Sequence, residues 1–235
     1  MLATSLRTAA RPLDYYLVLA GQDGPDVRGI VVEEFVRNGD HTTAGLDGAG
    51  WTTSDDGWWS SASFSRGMRN DPEVRARVAP TSRQVAERVY RTLGGGDLPA
   101  EAVLRTYFRE RLDLASAPPL RLGPAQPPSG FRERRVYRVL FAGDLRPEQV
   151  AHLRSRWRTT GGGDAGSHAS GHLDDGGTLL TWDLRRIGSG LAWCIDLTVL
   201  MRSGATDTAV GGALSELTDA LRGQGLIPVT TERFA

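Results

Sequence analysis

The sequence predicts an α+β protein of two domains, and three observations carry that prediction. Residues 114–130, with the core APPLRLGPAQPPSG, gather proline, glycine and small side chains without helical or strand periodicity, which is the composition of a linker. Residues 131–235 give strand and helix signals in the order strand, helix, strand, strand, helix, strand. Residues 1–113 place their strand signals first and their helix signals after. A chain of 235 residues has room for two such domains, each long enough to bury a core.

In the second part, residues 135–142 (RVYRVLFA) are a β-branched and aromatic run that reads as a strand. Gly143 ends it, Asp144 is placed to cap a helix, and Pro147 falls in that helix's first turn. Val150, Leu153 and Trp157 recur at helical spacing, so residues 146–158 are expected to be an amphipathic helix. Two strands are expected over 178–187 and 191–202, joined by the three-residue loop Gly188-Ser189-Gly190. Val210, Ala213, Leu214, Leu217 and Leu221 mark a second helix that stops at residues 223–225, and residues 226–234 close the chain as a strand. This order is the split βαβ, ferredoxin-like arrangement, a four-stranded antiparallel sheet with two helices on one face.

The first part is less regular. Residues 15–20 and 29–36 read as strands, and a third is expected over 58–64. Helices are expected after Pro72, over 82–93 behind Thr81 with Gln84 three residues later, and over 99–112.

Composition excludes whole classes of chemistry. The 28 basic residues balance 28 acidic ones, so no global field draws the chain to nucleic acid or anionic lipid. All 28 are arginine. A Schiff-base lysine, a pyridoxal phosphate anchor, a phosphate-loop lysine and a Ser-Lys dyad need a titratable amine, which arginine cannot supply. The absence of lysine, with the abundance of Arg, Gly, Ala, Asp and Val, fits codon bias in a GC-rich bacterial genome. One cysteine, Cys194, allows neither an internal disulfide nor a multi-cysteine zinc site, and with no apolar run near Met1 the expected location is the cytoplasm.

The first candidate site is the segment GAGWTTSDDGWWSSASFSRG, which holds three of the six tryptophans. Adjacent Trp58 and Trp59 must face opposite sides of a strand, so the cluster is either dense core or an aromatic surface. With Arg66 and Arg69 nearby, Trp51, Trp58 and Trp59 offer the residue types that dominate protein interfaces, and sugar or base stacking would use the same rings.

The second candidate is GGGDAGSHASGHLDDGG over residues 161–177, where His168, His172, Asp174 and Asp175 are the ligand types of a metal site. The glycines argue against the helix that would bring the two histidines onto one face, and a solvated loop is the plainer expectation. Three glycines following a helix, without lysine, do not make a phosphate cradle.

Little supports covalent catalysis. Cys194 lies inside a strand signal, no G-x-S-x-G elbow occurs, and Glu33 and Glu34 point to opposite faces of a strand and cannot act as a pair. His41 and His152 stand alone. The arginines of residues 132–135 and 154–158, with Arg185 and Arg186, lack the aromatic motif by which RNA-recognition sheets read bases.

The functional expectation is a non-catalytic protein-protein interaction module, a regulatory, immunity-type or accessory factor with no cofactor. Its partner would be another protein, with no membrane and no nucleic acid. The alternative is a metal-dependent enzyme or a small-molecule-binding protein that uses the histidine segment near a cleft between the halves.

Overall fold

Alternating and continuous apolar runs build eleven strands and six helices from residues 11–21, 26–114, 124, 126–157, 166–188 and 192–234, which the computed structural model describes. The first half contributes β1 (Asp14–Leu19), β2 (Val27–Arg37), β3 (Thr43–Thr52), β4 (Trp59–Ser60), α1 (Ala62–Asn70), α2 (Pro72–Arg75), β5 (Val78–Thr81), α3 (Arg83–Thr92), α4 (Glu101–Leu104) and β6 (Arg111–Asp113). The second contributes β7 (Glu133–Ala142), α5 (Pro147–Arg156), β8 (Ala169–Asp175), β9 (Thr178–Ile187), β10 (Ala192–Met201), α6 (Thr208–Arg222) and β11 (Ile227–Phe234). The fold is mixed α and β, with two antiparallel sheets.

The first sheet runs β4-β3-β2-β1-β5, with β6 also paired to β3. Its strands were expected at β1 and β2, but β3 was not, because TAGLDGAGWT carries three glycines. The packing explains them: a Cβ at Gly50 would stand 2.4 Å from the Trp59 ring, and one at Gly48 2.5 Å from Ser61 Oγ. Here glycine marks close approach inside a strand rather than a loop. The strand expected over 58–64 is only Trp59–Ser60 before α1 begins at Ala62. The helix over 82–93 is α3, capped by Ser82 accepting from the Val85 N–H rather than by Thr81. The helix expected over 99–112 shortens to α4 and one 3-10 turn, because Leu112 pairs with Leu46 of β3.

The second sheet runs β11-β7-β10-β9-β8 and has five strands, not four. The added strand is β8, inside the segment expected to be a loop. Gly171 again explains the misreading, since a Cβ there would lie 2.5 Å from the Trp182 ring on β9. Asp144 does not cap α5; Arg146 takes the cap position, where its N–H donates to Gln149 Oε1 at 2.8 Å, and Asp144 instead accepts from Trp193 Nε1 at 2.7 Å. The linker expected over 114–130 lies largely outside the described residues, as do Ser189 and Gly190 of the hairpin.

Three apolar clusters hold the chain. Tyr137, Val139, Phe141, Leu180, Leu184, Ile195 and Leu197 pack with Val150, Leu153, Leu214 and Leu217 of α5 and α6. Tyr15, Ile30, Val32 and Trp51 pack with Ala86, Tyr90 and Leu104. The third crosses between the halves: Tyr16, Val18, Val31 and Met68 of the first meet Ile227, with Ala142 against them. The halves therefore share buried apolar surface, and polar ties run beside it. Thr231 N–H donates to Thr43 Oγ1 at 2.9 Å, and Arg69 Nε donates to the Pro228 carbonyl at 2.9 Å.

Candidate functional site

The tryptophan segment is chiefly packing. Trp51 is 9% exposed and meets the Tyr90 ring edge-on at 4.6 Å. Trp58 and Trp59 do leave the chain on opposite sides: Trp58 stacks on Tyr107 at 6.0 Å, while Trp59 covers Gly50 and meets Phe64 edge-on at 6.1 Å. Both keep part of their surface, although each indole N–H is buried without an acceptor. Arg66 is exposed on α1.

Arg69, grouped with these residues by sequence, belongs elsewhere. Its side chain is buried, and its fork donates to both oxygens of fully buried Glu33, at 3.0 Å and 2.7 Å, and to the Ser65 carbonyl at 2.8 Å. A side chain so engaged is a strut and offers nothing to a partner.

The histidine segment does not converge. His172 and Asp174 are exposed on extended β8, and His168 lies just before that strand begins, so no helix brings the two histidines onto one face. His168 instead turns its ring edge-on to Trp193 at 5.0 Å, its N–H donates to the Leu184 carbonyl at 2.7 Å, and its own carbonyl accepts from Arg154. Asp174 approaches Arg202 at 3.7 Å, and Asp175 lies on the opposite side of the strand from it. Among the described residues no three His, Cys, Asp or Glu side chains are grouped to hold a metal ion.

Other candidates are equally occupied. Cys194 is buried, and burial, seconded by Asp196, pushes its thiol up to about 11, so it carries no thiolate at neutral pH. Arg135 pairs with Glu133 and Asp207, Arg138 forks onto Asp196 at 2.7 Å and 2.8 Å, and Arg186 pairs with Asp144. Paired arginines do not form a phosphate-tracking stripe. No helix among the described residues is long and apolar enough to cross a membrane.

The structure does form one site that sequence reasoning did not assemble. A cavity of about 360 Å³ lies where the start of β1, the end of β2, the α3 N-terminus and Glu101 face α6 of the second half. Its walls are ion pairs drawn from distant parts of the chain. Arg222 of α6 meets Asp14 at 2.8 Å, donates to the Tyr15 carbonyl at 3.3 Å and covers the Tyr16 ring. Tyr15 Oη accepts from Arg83 at 2.5 Å and donates to Glu101 at 3.0 Å. Arg105 forks onto Glu34 at 2.7 Å and 2.9 Å, on the sheet face opposite the Glu33–Arg69 pair, as strand alternation requires. Arg11 donates to the Gly211 carbonyl of α6 at 3.1 Å. A second hollow shares Thr81, Ser82, Asp219 and Arg222 with this one.

Burial controls the charges here. It raises Asp14 to about 6 despite the Arg222 guanidinium, with Glu33 and Asp219 adding to the rise. It pushes the Tyr15 hydroxyl up to about 12. It lowers Arg37 to about 10, with the Arg11 charge acting in the same direction. Beside the cavity wall, His41 holds a left-handed backbone at φ 70° and sets its ring edge-on to Tyr137 at 6.1 Å. A Cβ at Gly211 would come within 3.2 Å of that ring, so the glycine lets α6 close on the β2–β3 turn. The available signal in the sequence was charge inside strand runs, DYYLVL and VVEEFVR, where a charged side chain needs a partner to be buried.

Chemically, such a site can hold a small molecule against fixed charges and exchange a proton at Asp14 near neutral pH. Comparison with protein-family models, with curated proteins and with solved structures finds no match to this chain.

Proposed function

We propose that the protein is a non-catalytic binding protein, a regulatory or accessory factor of a bacterial cytoplasm, that takes up a small molecule in the cavity between its halves. The carrying observation is the cavity itself: a concave seat of about 360 Å³, walled by both halves, of the size and placement that ligand sites favour. The fixed charges around it, Arg222 on Asp14 and Arg105 on Glu34, support reading it as a binding seat. In this reading the halves are two domains. The second is ferredoxin-like with one added edge strand, β8, a reading supported by the order β11-β7-β10-β9 and by α5 and α6 following β7 and β10.

The test is a thermal-melt screen of neutral and charged metabolites against the wild type and Ser215→Trp, which fills the cavity from α6. A ligand that raises the wild-type Tm and leaves the variant's unchanged supports the reading. Equal stabilisation of both places the ligand elsewhere and overturns it.

A second reading, engagement of another protein, is favoured by Leu173. It stands 49% exposed on β8, the outermost strand of the second sheet, and edge strands recruit partners by adding a strand. The partly exposed Trp58 and Trp59 and the exposed Arg66 would extend the contact surface on the first half. Leu173→Lys should abolish co-purification of a stoichiometric partner if the edge is used, and an unchanged complex would remove it.

A further inference from the structure

We infer that Arg37 is the recognition residue of this cavity and that its ligand is a small oxyanion, a carboxylate or phosphate. The inference rests on the cavity being the binding seat and adds the ligand's chemistry. Four arginines border the cavity, and three have acceptors: Arg11 the Gly211 carbonyl, Arg83 the Tyr15 hydroxyl and the Pro99 carbonyl, and Arg222 the Asp14 carboxylate. Arg37 has no hydrogen bond or ion pair among the described residues, and its Nη1 is sealed from solvent with no acceptor. Of the five bordering acids, four are held elsewhere, and the fifth, Asp219, meets Arg222 at 3.7 Å and acts on Arg37 through its charge without an ion pair. Glu33 is held by Arg69, Glu34 by Arg105, Glu101 by Tyr15 and the Leu13 N–H, and Asp14 by Arg222.

One amino nitrogen of the guanidinium, Nη1, is sealed from water without an acceptor, which is a standing cost, and an oxyanion that draws the planar fork into the cavity relieves it. The same anion would screen Arg37 from Arg11, whose charge also opposes it. The fork matches two oxygens of a carboxylate or phosphate, whereas chloride or a neutral amide satisfies it poorly. Asp14 and Asp219 line the same cavity and already favour the Arg37 charge, so they disfavour more than one negative charge on the ligand.

The experiment measures binding to the full chain at constant ionic strength, with inorganic phosphate and acetate as oxyanions, chloride and acetamide as controls, and neutral metabolites as a third arm. Wild type, Arg37→Gln, Arg37→Lys and Ser215→Trp are compared. The expected result is saturable binding of phosphate or acetate, weakened at least tenfold in Arg37→Gln and less in Arg37→Lys, with chloride and acetamide inert. Equal oxyanion binding by Arg37→Gln, or acetamide matching acetate, overturns the assignment. Neutral metabolites that bind wild type but not Ser215→Trp, with no oxyanion response, sink the oxyanion while leaving the cavity as a seat. No response of wild type in any arm sinks both.

Discussion

Arg69 and Arg37 occupy neighbouring stretches of one junction and end in opposite states. Arg69 is buried from α1 with every group of its fork answered, by both oxygens of Glu33, the Ser65 carbonyl and the Pro228 carbonyl, and its guanidinium rests over the Phe35 ring. Arg37, two residues beyond Phe35 on β2, is partly buried with Nη1 sealed, and it has no hydrogen bond or ion pair among the described residues, only the charges of Asp14 and Asp219 acting on it. Burial alone therefore does not give a charged side chain its role. The acceptors do: a filled fork ties elements together, and an empty one beside a cavity is a place for something else to bind.

The largest way to break this comparison is Arg69→Leu. It strands the Glu33 carboxylate at 0% exposure and cuts the tie to β11, and removing one partner of a buried pair costs about 3–5 kcal/mol. Urea unfolding should show a midpoint fall of that size with the slope unchanged. Pairing it with Glu33→Leu should recover a substantial part of the loss, because no lone charge is then left inside. A drop under about 1 kcal/mol for Arg69→Leu alone would mean that the pair is not a strut.

Asp14 lies between the two extremes, with a partner at 2.8 Å yet a carboxyl raised to about 6 by burial. A raised acid binds its proton more tightly folded than unfolded. Its stabilising contribution is complete below the unfolded value near 4 and is lost as pH rises to 6, by roughly 3 kcal/mol in all. His41 works the other way, since burial lowers it and the unfolded chain takes its proton first as pH falls. The clean measurement is the difference between wild type and Asp14→Asn from pH 4 to 7. Wild type should lose stability relative to the variant across pH 4–6, and a flat difference would show that Arg222 compensates Asp14 fully.

The strands that place these residues were legible in sequence, and the site was not, for a physical reason. Continuous apolar runs such as GIVVEEFV and LAWCIDLTVL announce themselves locally. Ion pairs do not: Glu33 finds Arg69 from another element, and Asp14 finds Arg222 from the other half of the chain. Four strands were missed, the short β5 and β6 and the longer β3 and β8, and the two longer ones share one cause. Gly50 under Trp59 and Gly171 under Trp182 are glycines that a facing indole requires, and glycine in a one-dimensional reading signals a loop. That misreading also kept His172, Asp174 and Asp175 together as possible ligands, when β8 spreads them along an extended strand.

The smallest expected effect is the sharpest test. Arg37→Leu keeps most of the apolar stem that packs at the end of β2 and removes a cation with no acceptor, so the ligand-free protein should change by less than about 1 kcal/mol, with a gain as acceptable as a loss. Set against the loss at Arg69, that near-neutrality distinguishes a charge kept for a ligand from a charge kept for the fold. Urea midpoints at pH 7 in a buffer free of carboxylate and phosphate decide it. A cost above about 2 kcal/mol would make Arg37 a second strut and dissolve the distinction, because a residue the fold depends on does not need a ligand to explain it.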